Sequence, residues 1–132
     1  WERATRWLGL GGGDAARHCQ AVALIGIGQP AEAARRLEAL AQEIRAEAAF
    51  RAELFGQAGQ AYLLAGTATQ AEAVLTAALK LDPDDSELRL DRGQARASRG
   101  DFKGAVEDLS VVLAKDARKV DALVVRASAY RQ

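Results

Sequence analysis

His18 and Cys19 are the one histidine and the one cysteine of the chain, and they are adjacent. Neighbouring side chains on a helix point about 100° apart, so this pair would make a poor two-ligand site. A zinc site needs three or four protein ligands, and a Cys–His catalytic pair needs an orienting group and an oxyanion site. We therefore predict that both residues serve packing and that the chain holds no metal ion.

A glycine-rich run from Gly9 to Asp14 is the second feature with chemical potential. A phosphate-binding loop requires a preceding strand and a following Gly-Lys-Ser/Thr, and this run has neither. It predicts a turn between helices. Because no set of residues supplies a nucleophile, a base and oxyanion donors together, we expect neither enzymatic activity nor a cofactor.

Arginines recur at spacings of three, four and three residues, which places them in one stripe along a helix. Guanidinium groups bind phosphates and carboxylates bidentately, so the stripe could hold an anion. The alternative is pairing with carboxylates of the protein itself. We predict the pairing, with Arg92 reaching Glu107 or Asp108. The stripe consists of Arg89, Arg92, Arg96 and Arg99.

Glutamates and arginines alternate between residues 32 and 51, which is typical of a solvated helix face. Acid–base catalysis by two carboxylates would need a pocket, and this pattern indicates none. The expected ion pairs are Glu32–Arg36, Glu38–Arg45 and Glu47–Arg51.

Composition indicates which elements must position these side chains. The 132 residues carry 18 Lys+Arg and 18 Asp+Glu, a balance that argues against nucleic acid or a polybasic membrane contact. No apolar run approaches the ~20 residues of a membrane span. Residues with high helix propensity dominate, and no alternating stretch suggests a sheet, so we predict an all-α fold.

The chain also repeats itself. Residues 52–85 align with residues 86–119 at an offset of 34, which places Gly59 on Gly93 and Leu75 on Leu109. An earlier copy, with four extra residues, covers 14–51, and a first helix of a fourth copy covers 120–132. Residues 1–13 are expected to end a preceding helix. The predicted domain is a single array over 1–132, expected to be a fragment of a longer one.

This period resembles the tetratricopeptide repeat (TPR). The family's pattern of large, small and aromatic positions is carried by Phe55, Ala58, Gly59, Tyr62, Ala71, Leu75, Ala78 and Pro83. The third copy departs from it at the arginines and at Ala117. The resemblance implies a right-handed α-solenoid of antiparallel helix pairs. We expect turns near residues 28–30, 45–50, 66–68, 82–85, 100–102 and 115–118, with Gly93 at a helix contact. The acidic residues around Pro83 are expected to cap the helix that follows them.

The resemblance further implies a concave surface, lined by the first helix of each pair, that binds a peptide or helix of a partner. The predicted binding residues are His18, Val22, Ile25, Glu53, Gln60, Leu63, Leu64, Glu87, Leu90, Gln94 and Ser98. This mixed lining suits a peptide better than a charged ligand. The double substitution Leu63→Glu with Leu90→Glu is expected to abolish partner capture and spare the fold.

Repeat proteins of this kind that grip a C-terminal carboxylate use a clamp of Lys, Asn and Arg. The matching positions here are His18, Val22, Gln57, Glu87 and Asp91. Two of them are acidic and would repel a carboxylate, which argues against a receptor for chaperone tails.

The leading hypothesis is a protein-interaction scaffold, and the alternative is an accessory or regulatory segment of a protein whose catalytic domain lies elsewhere. The stretch from Trp1 to Gln42 also resembles exported bacterial repeat proteins of unassigned role, which implies a periplasmic rather than cytoplasmic location. We expect the end faces to be apolar and to favour self-contacts. The residues concerned are Trp1, Trp7, Val120, Leu123, Val124 and Tyr130.

Overall fold

The computed structural model describes residues 12–115, which form six helices joined by short turns. They are α1 (Gly12–Gly26), α2 (Pro30–Glu43), α3 (Ala48–Leu64), α4 (Ala68–Leu81), α5 (Ser86–Ser98) and α6 (Phe102–Lys115). No strand occurs between residues 12 and 115. The predicted all-α repeat fold is confirmed.

Several predictions fall on residues outside this range. They are the helices expected within 1–13 and 120–132, the turn near 115–118, and the apolar end faces at Trp1, Trp7, Val120, Leu123, Val124 and Tyr130. Across the described helices, none combines the length and the apolar character needed to cross a membrane.

A glycine lies two residues after the end of the first helix of each pair. Gly28, Gly66 and Gly100 have φ angles of 82°, 80° and 91°, in the left-handed region that glycine adopts without steric cost. Each closes a tight turn into the second helix of its pair. Pro30 then stands in the first turn of α2, where its missing N–H removes no helical hydrogen bond.

The four extra residues of the first copy form a helical turn. α3 ends at Leu64 and α5 at Ser98, an offset of 34, but α3 begins at Ala48 whereas α5 begins at Ser86, an offset of 38. The difference lies at the amino-terminal end of α3. The turn expected near 45–50 lies at 44–47, directly before this extension.

The sequence predicts a turn for the glycine run from Gly9 to Asp14, and this is wrong for the part of the run that the structure describes, whereas residues 9–11 lie outside the described range. α1 begins at Gly12, so Gly12 and Gly13 belong to its first turn rather than to a break before Asp14.

Successive helices pack on each other, and α3 also contacts α5. Glycines allow the closest approaches. A Cβ on Gly59 would lie 2.6 Å from Leu75 Cγ, and one on Gly93 would lie 2.9 Å from Leu109 Cγ. The predicted helix contact at Gly93 is confirmed, and the same pair of positions recurs 34 residues apart.

Candidate functional site

The arginine stripe is engaged by carboxylates of the protein. Arg92 binds Asp108 bidentately through one edge of its guanidinium group: Nη2 donates to Oδ1 at 2.7 Å and Nε donates to Oδ2 at 2.9 Å. Arg96 Nη1 donates to Asp108 Oδ2 at 3.0 Å. Asp108 is only 2% exposed, and a buried carboxylate is costly unless a positive charge lies beside it. The two guanidinium groups supply that charge. The prediction that Arg92 reaches Glu107 or Asp108 is confirmed, with Asp108 as the partner.

A second carboxylate binds the carboxy-terminal half of the stripe. Glu72 on α4 accepts from Arg99 Nε at 2.6 Å and from Arg96 Nε at 2.7 Å. The hydrogen bond from Arg99, followed by that from Arg96, lowers the pKa of Glu72 despite its partial burial. The stripe therefore joins α4, α5 and α6, which favours the structural interpretation over an anion site.

His18 and Cys19 lie on α1 and are partly buried. His18 Nε2 lies 2.9 Å from Gln57 Oε1, a hydrogen bond that links α1 to α3. Within residues 12–115, no three His, Cys, Asp or Glu side chains converge so that they could hold a metal ion.

The alternating charged segment forms one of its three expected ion pairs. Glu32 binds Arg36 at 3.1 Å. The other two pairs are wrong: Glu38 accepts from Tyr62 Oη at 2.7 Å, and Arg51 Nε donates to the carbonyl of Ala41 at 3.1 Å. Burial and the Glu38 carboxylate raise the pKa of Tyr62 to about 12.

A groove of about 490 Å³ lies between α3 and α5, the first helices of two successive pairs. We call it the α3–α5 groove. Its lining residues are Ala49, Phe50, Glu53, Gly56, Gln57 and Gln60 from α3, Asp82 and Asp85 from the turn after α4, and Glu87, Leu88 and Asp91 from α5. Phe50 belongs to the extra turn of α3, so the four additional residues enlarge one wall.

The groove is acidic. Five of its lining residues are Asp or Glu and none is Lys or Arg, which differs from the neutral, mixed lining expected from the sequence. Burial raises the pKa of Glu53. The His18 ring acts in the opposite direction and the Asp85 carboxylate adds to the increase.

The turn before α5 fixes part of this wall. Asp85 Oδ1 accepts hydrogen bonds from the backbone N–H of Glu87 at 2.9 Å and of Leu88 at 3.2 Å. This caps the amino terminus of α5, as the acidic residues around Pro83 predicted. Across the groove, Gln60 Nε2 donates to Asp91 Oδ2 at 3.2 Å.

The structure brings only some of the predicted binding residues to this groove. Glu53, Gln60 and Glu87 line it, and His18 contacts its wall through Gln57. The remaining positions do not line it: Val22, Ile25, Leu63, Leu64, Gln94, Ser98 and Leu90.

Leu90 requires a correction. It is 6% exposed and packs with Leu109 and Val112, because this face of α5 turns toward α6. It therefore offers no side chain to a ligand, and Leu90→Glu would place a charge in the core instead of sparing the fold.

Sequence reasoning missed Ala49, Phe50, Asp82, Asp85 and Leu88 as lining residues. The spacing of Phe50, Glu53, Gln57 and Gln60 would place them on one face of a helix, which is the signal that could have identified the α3 wall. The predicted second repeat begins at residue 52 and therefore excludes Phe50.

One protein family matches more than half of the chain, and several solved structures share its helical arrangement. The Tetratricopeptide repeat family matches residues 58–129. No curated protein matches the chain. The second TPR domain of human RPAP3, in complex with the HSP70 peptide SGPTIEEVD, is 22% identical with a TM-score of 0.77, over 88% of this chain and 93% of that one.

Two further solved structures share the fold. The Arabidopsis OM64 TPR domain is 21% identical with a TM-score of 0.75, over 89% of this chain and 94% of that one. The first TPR of Spaghetti (RPAP3), bound to the HSP90 peptide SRMEEVD, is 17% identical with a TM-score of 0.76, over 89% and 90%. The helix pairs with their repeated Gly–Leu contacts agree with the family match over residues 58–129, and the chain belongs to the tetratricopeptide repeat family.

Proposed function

We propose that the chain is a protein-interaction scaffold that binds a peptide segment of a partner protein in the α3–α5 groove. The groove lies between the predicted second repeat, 52–85, and the third, 86–119. The observation that carries the proposal is its form: a cleft of about 490 Å³ whose walls are two helices held by the fold. Ligand-binding clefts typically have volumes of about 300–1,000 Å³, are largely preformed and often lie between helices.

Two structural neighbours support a peptide as the ligand, since the RPAP3 and Spaghetti domains each hold one. The lining supports it as well. Gln57 and Gln60 offer amide groups to a peptide backbone, and the partly exposed Phe50 offers apolar surface to its side chains. We therefore propose the α3–α5 groove as the part of the predicted concave face that binds the peptide.

A selection from a random peptide library tests this proposal. The whole chain is immobilised, enriched peptides are synthesised, and their affinities are measured by calorimetry. Gln60→Trp introduces a bulky ring at an exposed position of the groove and should weaken binding at least about tenfold by steric exclusion.

Gln70→Trp is the matched control, because Gln70 is exposed on α4 and does not line the groove. It should leave the affinity unchanged. Equal binding by both variants would reject the groove as the site, and failure to enrich any peptide would reject peptide binding.

The alternative, an accessory segment of a larger enzyme, remains a prediction. A catalytic domain on the same polypeptide as these 132 residues would support it, and further repeats alone would support the scaffold.

A further inference from the structure

We infer that the α3–α5 groove selects a cationic peptide segment, one that carries lysine or arginine beside at least one apolar side chain. This inference rests on the proposed function and adds the chemical class of the partner. It is carried by the shape of the groove together with the charge of its walls.

Carboxylates line both helical walls of the groove and the turn before α5. Glu53 lies on α3, Asp82 and Asp85 lie in the turn before α5, and Glu87 and Asp91 lie on α5 itself. A segment seated between the two helices would therefore have acidic groups on both flanks. Complementary charge at such a surface accelerates encounter and rejects partners of the same sign.

The amides and arginines of α5 that could hold an anion are paired largely within the protein. Arg89 Nη1 lies 3.6 Å from Asp108 Oδ1, and its Nε is buried without a hydrogen-bond partner and does not line the groove. Two amides in the first turn of α5 donate to Asp85, so they are not available to a ligand. Arg92 and Arg96 bind Asp108, and Arg99 binds Glu72. An acidic segment would meet carboxylates without a compensating cation among the lining residues.

An apolar floor completes the groove. Gly56 brings α3 close to α5, since a Cβ at this position would lie 2.8 Å from Leu88 Cδ2. Phe50 supplies apolar surface on the α3 wall, and Leu88, which is only 5% exposed, closes the floor from α5. The aliphatic part of a lysine or arginine can lie on such a floor while its charged end reaches a carboxylate at the rim.

Glu53 is a lining carboxylate that a bound cation would stabilise. Its carboxyl group is partly buried on the groove wall, where desolvation disfavours the ionised form and raises its pKa. A bound ammonium or guanidinium would compensate that loss of solvation. The peptides held by the RPAP3 and Spaghetti domains contain adjacent glutamates, SGPTIEEVD and SRMEEVD, and would place like charges here.

The test uses the same random peptide selection and determines the net charge of the enriched peptides. We expect enriched sequences to carry a net positive charge, and their affinity to fall with rising salt. Glu53→Gln with Glu87→Gln should weaken the most enriched peptide by about 10-fold, since each removes one complementary charge.

Glu43→Gln with Glu107→Gln is the matched control. It makes the same change in net charge at two exposed positions outside the groove and should alter the affinity less than about twofold. Replacing the lysines and arginines of the peptide by glutamine should reduce wild-type binding and abolish the difference between the two double variants.

The outcomes separate the two proposals. Enriched peptides that are neutral or acidic, yet are blocked by Gln60→Trp, would overturn the charge inference and leave the groove as the binding site. Cationic peptides that bind both double variants equally would also overturn it. If no peptide is enriched, the proposed function fails, and the inference fails with it.

Discussion

Asp108→Asn offers the sharpest test of how the fold is held together. Asp108 is 2% exposed and accepts three hydrogen bonds of 2.7, 2.9 and 3.0 Å from two guanidinium groups. Asparagine keeps the shape but removes the charge and one acceptor. Arg92, whose side chain is 14% exposed, then has a neutral amide oxygen and a 3.4 Å contact to Thr76 Oγ1 in place of a carboxylate, whereas Arg96 keeps Glu72.

The expected loss of stability arises because Arg92 loses its carboxylate partner, whereas Arg96 keeps one. Removing one partner of a buried ion pair destabilises a protein by about 3–5 kcal/mol, because the remaining charge stays buried. Domains of this size have a total stability of about 5–15 kcal/mol, so the loss is a large part of it. Each kcal/mol corresponds to about 4 °C in Tm, which predicts a decrease of at least about 12 °C.

Urea denaturation of the full chain, followed by far-UV circular dichroism, measures this loss. Asp84→Asn is the control: the Asp84 side chain is 95% exposed and lies 3.6 Å from Lys115 Nζ, so its removal should cost less than about 1 kcal/mol. A loss below about 1 kcal/mol for Asp108→Asn as well would refute the reasoning, because the buried carboxylate would then be dispensable.

Three further predictions concern single positions. Gly93→Leu should lower the free energy of unfolding by about 1–3 kcal/mol in the same urea assay, because its side chain would overlap Leu109; unchanged stability would contradict the close helix contact. Asp85→Ala should cost about 0.5–2 kcal/mol in thermal melts through loss of the α5 cap, and a variant as stable as wild type would show that the cap contributes nothing. Glu53→Gln should raise Tm at pH 7, because the raised pKa of Glu53 means that its ionised form opposes folding. This advantage should diminish as the pH falls through the raised pKa and vanish below the ordinary value of 4.5, where the carboxyl is protonated in both states. The facing groups Asp85, Asp82, Glu87 and His18 are unchanged in that comparison, so a Tm difference independent of pH would contradict the assignment to Glu53.

Local rules made much of the fold predictable from the sequence. Glycine at the left-handed position after each first helix, Pro30 at a helix start and Asp85 at a helix cap depend on backbone chemistry that a few neighbouring residues determine. The 34-residue repeat also predicted a helix contact at Gly93, and the structure shows that Leu109 is the neighbour there, because equivalent positions of a repeat meet equivalent neighbours.

A carboxylate partner for Arg92 near residues 107 and 108 was also predictable. Arg92 and Asp108 lie on consecutive helices of one antiparallel pair, and a charge on the inner face of such a pair needs a partner close by. Sequence did not show that Glu72, on the preceding α4, would bind Arg96 and Arg99, since that contact crosses from one pair to the next.

The binding groove depended on the tertiary structure. The extra turn that brings Phe50 to one wall is invisible when the repeats are aligned from residue 52, and the burial of Leu90 depends on the packing of α6 over α5. The acidic character arises because two helices and a turn, distant along the chain, place their carboxylates around one cleft. Periodicity assigns a residue to a face of its own helix, but only the packing angle between helices decides which faces enclose a common space.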